Sequence, residues 1–462
     1  MKFIDREREM EILEREWENR PSFVVLYGRR RIGKTRLLRE FSKGKRTFFF
    51  TFPEAVKTVQ MAEFKKALSE FLGDGLILKL ETDNWLDLLI YLAERIDDSL
   101  VVLDEFTYAI KSDRKILSDL QRVWDGILSE KNVMLVLSGS LLGMMWDDVL
   151  SHASPLYGRR TRSIHLNPLG YTSALKFFKD PEYGIKAYML VGGIPPYLRL
   201  ASRYESVEAF VKEEFLSDYG FFYDEPYVIL TEELRELKTY FSILRAMASG
   251  NRRLEEIANF VGLPAGSVYP YVETLMRLGL IEKETPILGS RKATLYSIAD
   301  PSLLTWFTLT YPQLDQISLG TAKLDDLYKV FPVRFEELAR EFLVVKRPIE
   351  FEKIGRWWYK GEEIDIVAID GRTAYLVEAT WKDLGRKDAG RVLKALERKS
   401  KLVRFDGGFK LGLIARKVEG KEELRSRGYT VWDMEDVLRG GGPSSHPSSN
   451  QFLSSGALAK LR

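Results

Sequence analysis

An apolar run, Phe23-Val24-Val25-Leu26-Tyr27, leads directly into Gly28-Arg29-Arg30-Arg31-Ile32-Gly33-Lys34-Thr35. A strand, a glycine-bounded loop and a Lys-Thr pair opening a helix constrain the fold strongly, because together they form a phosphate-binding loop at the end of a parallel α/β sheet. The two glycines let the backbone curl until successive N–H groups point inward at phosphate oxygens. Lys34 can then reach the β and γ phosphates, Thr35 offers a hydroxyl to Mg²⁺, and the helix from Arg36 to Phe41 turns its positive end to the anion. Gly28, Arg29, Arg30, Arg31, Ile32, Gly33, Lys34, Thr35 and Arg36 are the expected nucleotide contacts. The expected ligand is a nucleoside triphosphate with Mg²⁺, ATP before GTP.

A second element agrees with the first. Ser99-Leu100-Val101-Val102-Leu103-Asp104-Glu105 is a short apolar strand ending in two carboxylates, the arrangement that holds Mg²⁺ and polarises an attacking water. Asp104 is expected at the metal, through water or Thr35, and Glu105 as the general base. Asn132 to Leu137 reads as another buried strand, ending in Ser138-Gly139-Ser140. Ser138 is a candidate sensor of the γ phosphate, although a plain turn rich in Ser and Gly fits these residues equally well. With Arg46–Phe52 and Arg162–Leu166, these strands alternate with helical stretches and predict a doubly wound parallel sheet over residues 1–166. A charged helix, Asp5 to Asn19, with Asp5 as its N-cap, is expected to precede the sheet.

The chain has 462 residues, 45% of them apolar, which calls for about three domains. No apolar stretch approaches the ~18 residues that cross a bilayer, and Met1-Lys2-Phe3-Ile4-Asp5-Arg6 lacks a signal peptide's apolar core. A cytoplasmic protein without membrane contact is expected. The absence of cysteine excludes disulfides and thiolate metal sites, and three histidines leave little for an imidazole-ligated zinc centre. A net charge of +3 is too small to demand nucleic acid, so any such contact must come from local patches.

Tyr157-Gly158-Arg159-Arg160-Thr161-Arg162 lies between the last two strands of the sheet. Arg159 and Arg160 could compensate γ-phosphate charge within one subunit or from a neighbour, and the alternative is a solvated basic turn. Val191-Gly192-Gly193-Ile194-Pro195-Pro196-Tyr197-Leu198 breaks a helical region, Thr172 to Tyr219, sharply enough to suggest a small helical lid over 167–230.

These residues together resemble the archaeal ATPase family, a branch of the AAA+/STAND P-loop NTPases. The matches are Phe3-Ile4-Asp5-Arg6-Glu7 leading to Leu26 through Thr35, then Leu103-Asp104-Glu105-Phe106, Leu156-Tyr157-Gly158-Arg159-Arg160 and Gly192-Gly193-Ile194-Pro195-Pro196-Tyr197-Leu198. The resemblance covers residues 1 to about 440. It implies ATP hydrolysis, an arginine at 159 or 160 near the γ phosphate, and a lid proline, Pro195, that senses the nucleotide. Where that arginine comes from a neighbour, a homo-oligomer with the arginine contributed across the interface is expected.

The next segment, 231–312, reads as a winged helix-turn-helix. Helices are expected at Glu232–Ala248, Arg253–Phe260 and Ala265–Leu278, with a turn at Gly262-Leu263-Pro264 and strands at Leu280–Lys283 and Lys292–Ile298. In the third helix Ser267, Tyr269, Glu273 and Arg277 fall between the apolar positions Val268, Val272, Leu275 and Leu278, so they can face a duplex groove. Arg291 and Lys292, at the hairpin tip, suit phosphate contacts. Glu273 argues mildly against DNA, and such modules also serve as packing or partner domains.

Residues 313–439 resemble the PD-(D/E)xK nuclease fold, a small α/β domain. Arg334–Val344 reads as a helix carrying Glu336 and Glu337, and Glu363–Ala368 and Ala374–Lys382 as strands. By that resemblance Asp365 and Glu378 would bind a second Mg²⁺ and Glu336 would support them. The lysine expected two residues after Glu378 is Thr380, and Lys382 lies about 7 Å further along the strand. A degenerate binding domain is therefore expected ahead of an active nuclease. Residues 440–462, rich in Ser, Gly and Pro, are expected to be a disordered tail. Three readings follow: a DNA-associated ATPase, a nucleotide-controlled switch with a protein partner, and an ATP-regulated nuclease.

Overall fold

The computed structural model describes residues 4–289 and 293–439. Phe3, the pair Arg291 and Lys292 expected at a hairpin tip, and the tail expected at 440–462 lie outside the described residues. The chain divides into two units, Met1–Pro168 and Leu169–Arg462. No helix among the described residues is long and apolar enough to cross a membrane.

The first unit is built on five strands: β1 Ser22–Tyr27, β2 Thr47–Thr51, β3 Ser99–Asp104, β4 Val133–Gly139 and β5 Arg162–His165. They run in the order β2-β3-β4-β1-β5, and every pairing is parallel. Every residue of β1, β3 and β4 is buried, as expected of continuous apolar runs covered by helices on both faces. The strand order changes direction at β1, and ligands of such sheets sit at the carboxyl ends beside that point.

The amino-terminal helix departs from expectation. It runs from Glu7 to Glu18, its N-cap residue is Arg6 in the left-handed region, and no side chain caps it. The N-cap position falls on Arg6 rather than on the expected Asp5, and the Arg6 guanidinium donates to the Asn167 oxygen at 2.7 Å and to the Ile32 oxygen at 3.4 Å. These long-range bonds hold Asp5 and Arg6 at φ values of 62° and 86°.

The second unit begins with a helical region from Tyr171 to Glu214 and continues through Phe221–Glu233. The expected helix 232–248 is split, because Leu234 turns extended at φ −125° and buries its side chain; the next helix is Leu237–Ala248. Leu254–Val261 and Ala265–Arg277 complete the three-helix set, and β6 Ile281–Glu284 pairs antiparallel with β7 Leu295–Ile298. Beyond the helix Leu327–Lys346 lies a second sheet of β8 Lys353–Tyr359, β9 Glu362–Asp370, β10 Thr373–Leu384, β11 Gly408–Val418 and β12 Thr430–Trp432, in the order β12-β11-β10-β9-β8. Its β8-β9-β10 part is antiparallel and its β10-β11-β12 part parallel.

The winged-helix hairpin does not stand free. Ile287 donates its N–H to the Arg356 oxygen at 2.9 Å, on edge strand β8. Ile287 and Leu288 pack against the cluster of Trp357, Ile364, Val367 and Leu376. The wing thereby covers an exposed sheet edge that would otherwise invite pairing.

Candidate active site

The carboxyl ends of β3, β4 and β1 lie side by side, with Leu103 beside Leu137 and Leu26 beside Ser138. The phosphate loop follows β1 at once. A Cβ on Gly28 would lie 2.5 Å from the Leu166 main-chain oxygen, and Gly33 takes φ 102°, so both glycines are required by the backbone. Arg31, which lacks that freedom, is nevertheless held at φ 63°, a strain of about 1–3 kcal/mol of the kind kept at ligand-binding loops. Lys34 is buried, and its ammonium donates to the Gly28 and Arg29 oxygens at 2.9 and 3.1 Å.

Thr35 Oγ1 donates to Asp104 Oδ2 at 2.7 Å, so the two expected metal-side groups are in direct contact. Thr51, which ends β2 opposite Asp104, places its hydroxyl 3.4 Å from the same oxygen. Asp104 is fully buried, yet its Oδ1 has no hydrogen-bond partner among the described residues. The same holds for the Ser138 and Thr107 hydroxyls. A buried polar atom left unpaired costs about 1–3 kcal/mol, so Asp104 Oδ1 and Ser138 Oγ, at the strand ends beside the loop, fit a polar ligand and cation that would complete them. Glu105, next to Asp104, sits in the left-handed region at φ 50° and ψ 40°, and Ser140 Oγ donates to its Oε2 at 2.6 Å. Arg30 of the loop bonds the Tyr108 hydroxyl. Burial pushes the Tyr108 phenol above its ordinary value and Arg30 opposes this, which keeps the phenol neutral. Thr51 and Ser140 were not singled out from sequence; each becomes readable only when the strand order sets it beside Asp104 or Glu105.

Arg159 and Arg160 are elsewhere. β5 sets Arg162 beside Val24, and Thr161 donates its N–H to the Phe23 oxygen. Their backbone therefore lies toward the amino end of β1, although the Arg160 guanidinium reaches back far enough to act on the Tyr27 hydroxyl, whose residue directly precedes the loop. Arg159 is paired with both oxygens of Asp125, at 2.8 and 2.7 Å, and Arg160 donates to the Leu150 oxygen at 3.0 Å. For Arg159, the pairing with Asp125 does not match the reading of an arginine supplied to the loop within one subunit, because proximity in sequence did not reveal which end of the sheet the turn occupies. Pro195 opens the helix Pro195–Ala201 in the second unit, at the first position, where a missing N–H costs nothing.

Residues 3–200 match the family model described as an ATPase domain predominantly from Archaea. An uncharacterized protein of Methanocaldococcus jannaschii is 33% identical over 462 residues, an alignment that covers 94% of this chain and 99% of that protein. The chain belongs to the archaeal ATPase family. Residues 240–285 match the IclR helix-turn-helix domain, and residues 306–392 match a model described as archaeal and bacterial proteins of unknown function. An uncharacterized ATP-binding protein of the same organism is 49% identical over 45 residues, covering 10% of this chain and 76% of that protein. Among solved structures, a Walker-type ATPase of Pyrococcus abyssi is similar at a TM-score of 0.49 and 23% identity, covering 66% of this chain and 96% of that one. The ORC2 protein of Aeropyrum pernix, solved as ADPNP–ADP complexes, is similar at a TM-score of 0.43 and 16% identity, covering 69% and 95%.

In the helix-turn-helix, Val268, Val272, Leu275 and Leu278 are buried, and Ser267, Tyr269, Glu273 and Arg277 are exposed. The 3.6-residue period thus assigned the two faces of this helix. Phe260 and Leu263, just before this helix, are also exposed.

In the carboxyl-terminal sheet, Asp365 Oδ2 accepts the Ala379 N–H at 2.8 Å. Glu378 Oε1 accepts from the Lys399 ammonium at 2.8 Å, and Lys399 also donates to the Glu363 oxygen at 2.7 Å. Glu336 is bonded by Arg356, which also bonds Glu363. Burial, then repulsion from Asp365, pushes the carboxyls of Glu336 and Glu378 up to about 7. Lys382 is exposed and Thr380 half-buried, so the cation of this cluster is Lys399, one residue before the buried Ser400 on the helix Arg386–Ser400. Among the described residues no three acidic or imidazole groups gather closely enough to hold a metal ion.

Proposed function

We propose that the chain is a Mg²⁺-dependent ATPase whose nucleotide state controls a helix-turn-helix acting on duplex DNA. The observation that supports this best is the pair of buried atoms at the strand ends beside the phosphate loop, Asp104 Oδ1 and Ser138 Oγ, that lack a hydrogen-bond partner among the described residues. Thr35 and Asp104 would hold Mg²⁺, which when bound neutralises phosphate charge during transfer. The Lys34 ammonium exchanges the Gly28 and Arg29 carbonyls for phosphate oxygens. Glu105 takes the proton of the attacking water, and Ser138 donates toward the γ phosphate. Arg160 reaches a phosphate within the subunit or from a neighbour, and Arg159 from a neighbour, in this reading; the second route requires a homo-oligomer. Pro195 marks a lid that responds to the nucleotide.

On the DNA side, Ser267, Tyr269 and Arg277 are the groove contacts, with Arg291 and Lys292 on phosphates. Equilibrium binding of a fluorescent ATP analogue tests the nucleotide reading: Mg²⁺-dependent binding that is lost in Asp104→Ala supports it, and equal binding by both proteins contradicts it. A second reading, a nucleotide-controlled switch with a protein partner, is favoured by the exposed Phe260, Leu263 and Tyr269 on the helix-turn-helix, since apolar side chains grouped on a surface suit a protein better than phosphate. The carboxyl-terminal domain is read as a nuclease-like fold without cleavage activity, because Lys399 already supplies Glu378 with a counter-ion and Thr380 cannot replace lysine. Mg²⁺-dependent nicking of DNA that disappears in Asp365→Asn would overturn that assignment.

A further inference from the structure

We infer that Ser140 is a positioning residue for ATP hydrolysis, one that fixes the Glu105 carboxylate and links it to the strand end that carries Ser138. The inference rests on the reading of Glu105 as the base that activates water.

Ser140 is 2% exposed, and its hydroxyl donates to Glu105 Oε2 at 2.6 Å. No other hydrogen bond to the Glu105 side chain is found among the described residues. A glutamate side chain has several rotamers open to it, and a general base must lie within hydrogen-bond reach of the proton it removes. A single buried hydroxyl holding one oxygen selects one of those rotamers and leaves the other oxygen to accept from water. The backbone of Glu105 is held as well: it is left-handed at φ 50°, and its carbonyl accepts the Tyr108 N–H at 3.0 Å.

Ser140 is equally constrained. Between it and Ser138 lies Gly139, where a Cβ would meet Met145 Sδ at 2.4 Å and Thr107 Cγ2 at 3.0 Å. The segment 138–140 is therefore packed against the start of the helix Phe106–Ser112, which Glu105 itself precedes. Ser138 carries a buried hydroxyl without a partner. A phosphate oxygen that engages Ser138 would pull on a segment with no slack, and the displacement reaches Glu105 through the Ser140 hydrogen bond. Occupancy of the γ position and orientation of the base are coupled through three consecutive residues.

The test uses the full chain with Mg²⁺ and ATP, comparing kcat, KM and the binding of a fluorescent ATP analogue for Ser140→Ala, Ser140→Thr and Glu105→Gln. Ser140→Ala is expected to lose roughly 10-fold in kcat, with analogue affinity and thermal unfolding unchanged, and Ser140→Thr, which keeps the hydroxyl, to recover most of the loss. If Glu105→Gln loses turnover while Ser140→Ala keeps it, the positioning role is overturned and the base assignment stands. If Ser140→Ala loses kcat and affinity together and the threonine restores neither, Ser140 is structural and the inference fails. Full turnover in Glu105→Gln overturns the base assignment and this inference with it.

Discussion

Replacing Glu284 by glutamine removes the charge that pins the wing to the carboxyl-terminal sheet. Glu284 bonds Arg340 and faces Arg356 Nε at 3.7 Å and Arg252 Nη2 at 3.6 Å. The Nε atoms of all three arginines are buried without a hydrogen-bond acceptor, so the cluster already lacks acceptors. Breaking a buried ion pair by removing one partner costs about 3–5 kcal/mol. Arg356 keeps Glu336 and Glu363, and Arg252 keeps Glu363, so the loss falls mainly on Arg340, and about 2–3 kcal/mol is expected. The Ile287 amide, which donates to the Arg356 oxygen, reports directly on undocking. Native-state hydrogen exchange should show its protection falling by roughly 30- to 150-fold in Glu284→Gln, the same free energy read locally. Unchanged protection at Ile287 would refute the account of the wing as electrostatically docked. The pH dependence has a definite sign. Burial works against the charged form, but Arg340 and Arg356 together hold the Glu284 carboxyl below its ordinary value. Its stabilisation is therefore present above the unfolded-state value near 4.3 and lost as the pH falls through the folded one.

Glu282, on the same strand, behaves oppositely: burial, then repulsion from Glu337 and Glu284, pushes its carboxyl up to about 7. Its contribution is present in acid and lost as the pH rises through about 7, so Glu282→Gln should stabilise the second unit at pH 8 by about 1–2 kcal/mol and do little at pH 5, as urea unfolding at the two pH values would show. Gly28→Ala, whose methyl would lie 2.5 Å from the Leu166 oxygen, should cost about 1–3 kcal/mol of stability and abolish binding of a fluorescent ATP analogue; full affinity by titration would contradict the required close approach. Arg277→Glu should weaken duplex binding and lower the slope of log K against log salt by about one or more, and an unchanged slope would favour the protein-partner reading.

The phosphate loop and the Asp104-Glu105 strand end were legible because their chemistry is written in consecutive residues. The faces of the helix Ala265–Arg277 were legible because an apolar period fixes what is buried. Contacts that join distant segments were not. Arg6 reaches Asn167 and displaces Asp5 as the helix-entry residue; Ser140 reaches Glu105 from a neighbouring strand; Lys399 supplies, from a following helix, the cation that the spacing around Glu378 sought at position 380. Arg159 shows the same limit in reverse. Its closeness in sequence to the sheet suggested the nucleotide, while the parallel run of β5 beside β1 puts it at the other end of the strands.

The most direct test is steady-state ATP hydrolysis with Mg²⁺, measured with and without duplex DNA, with Lys34→Ala as the blank. Turnover that DNA stimulates and that Lys34→Ala abolishes is the expected result. Turnover that persists in Lys34→Ala, or none in the wild-type chain under either condition, would contradict the assignment of unit 1 as an ATPase; turnover indifferent to DNA would detach the engine from nucleic acid.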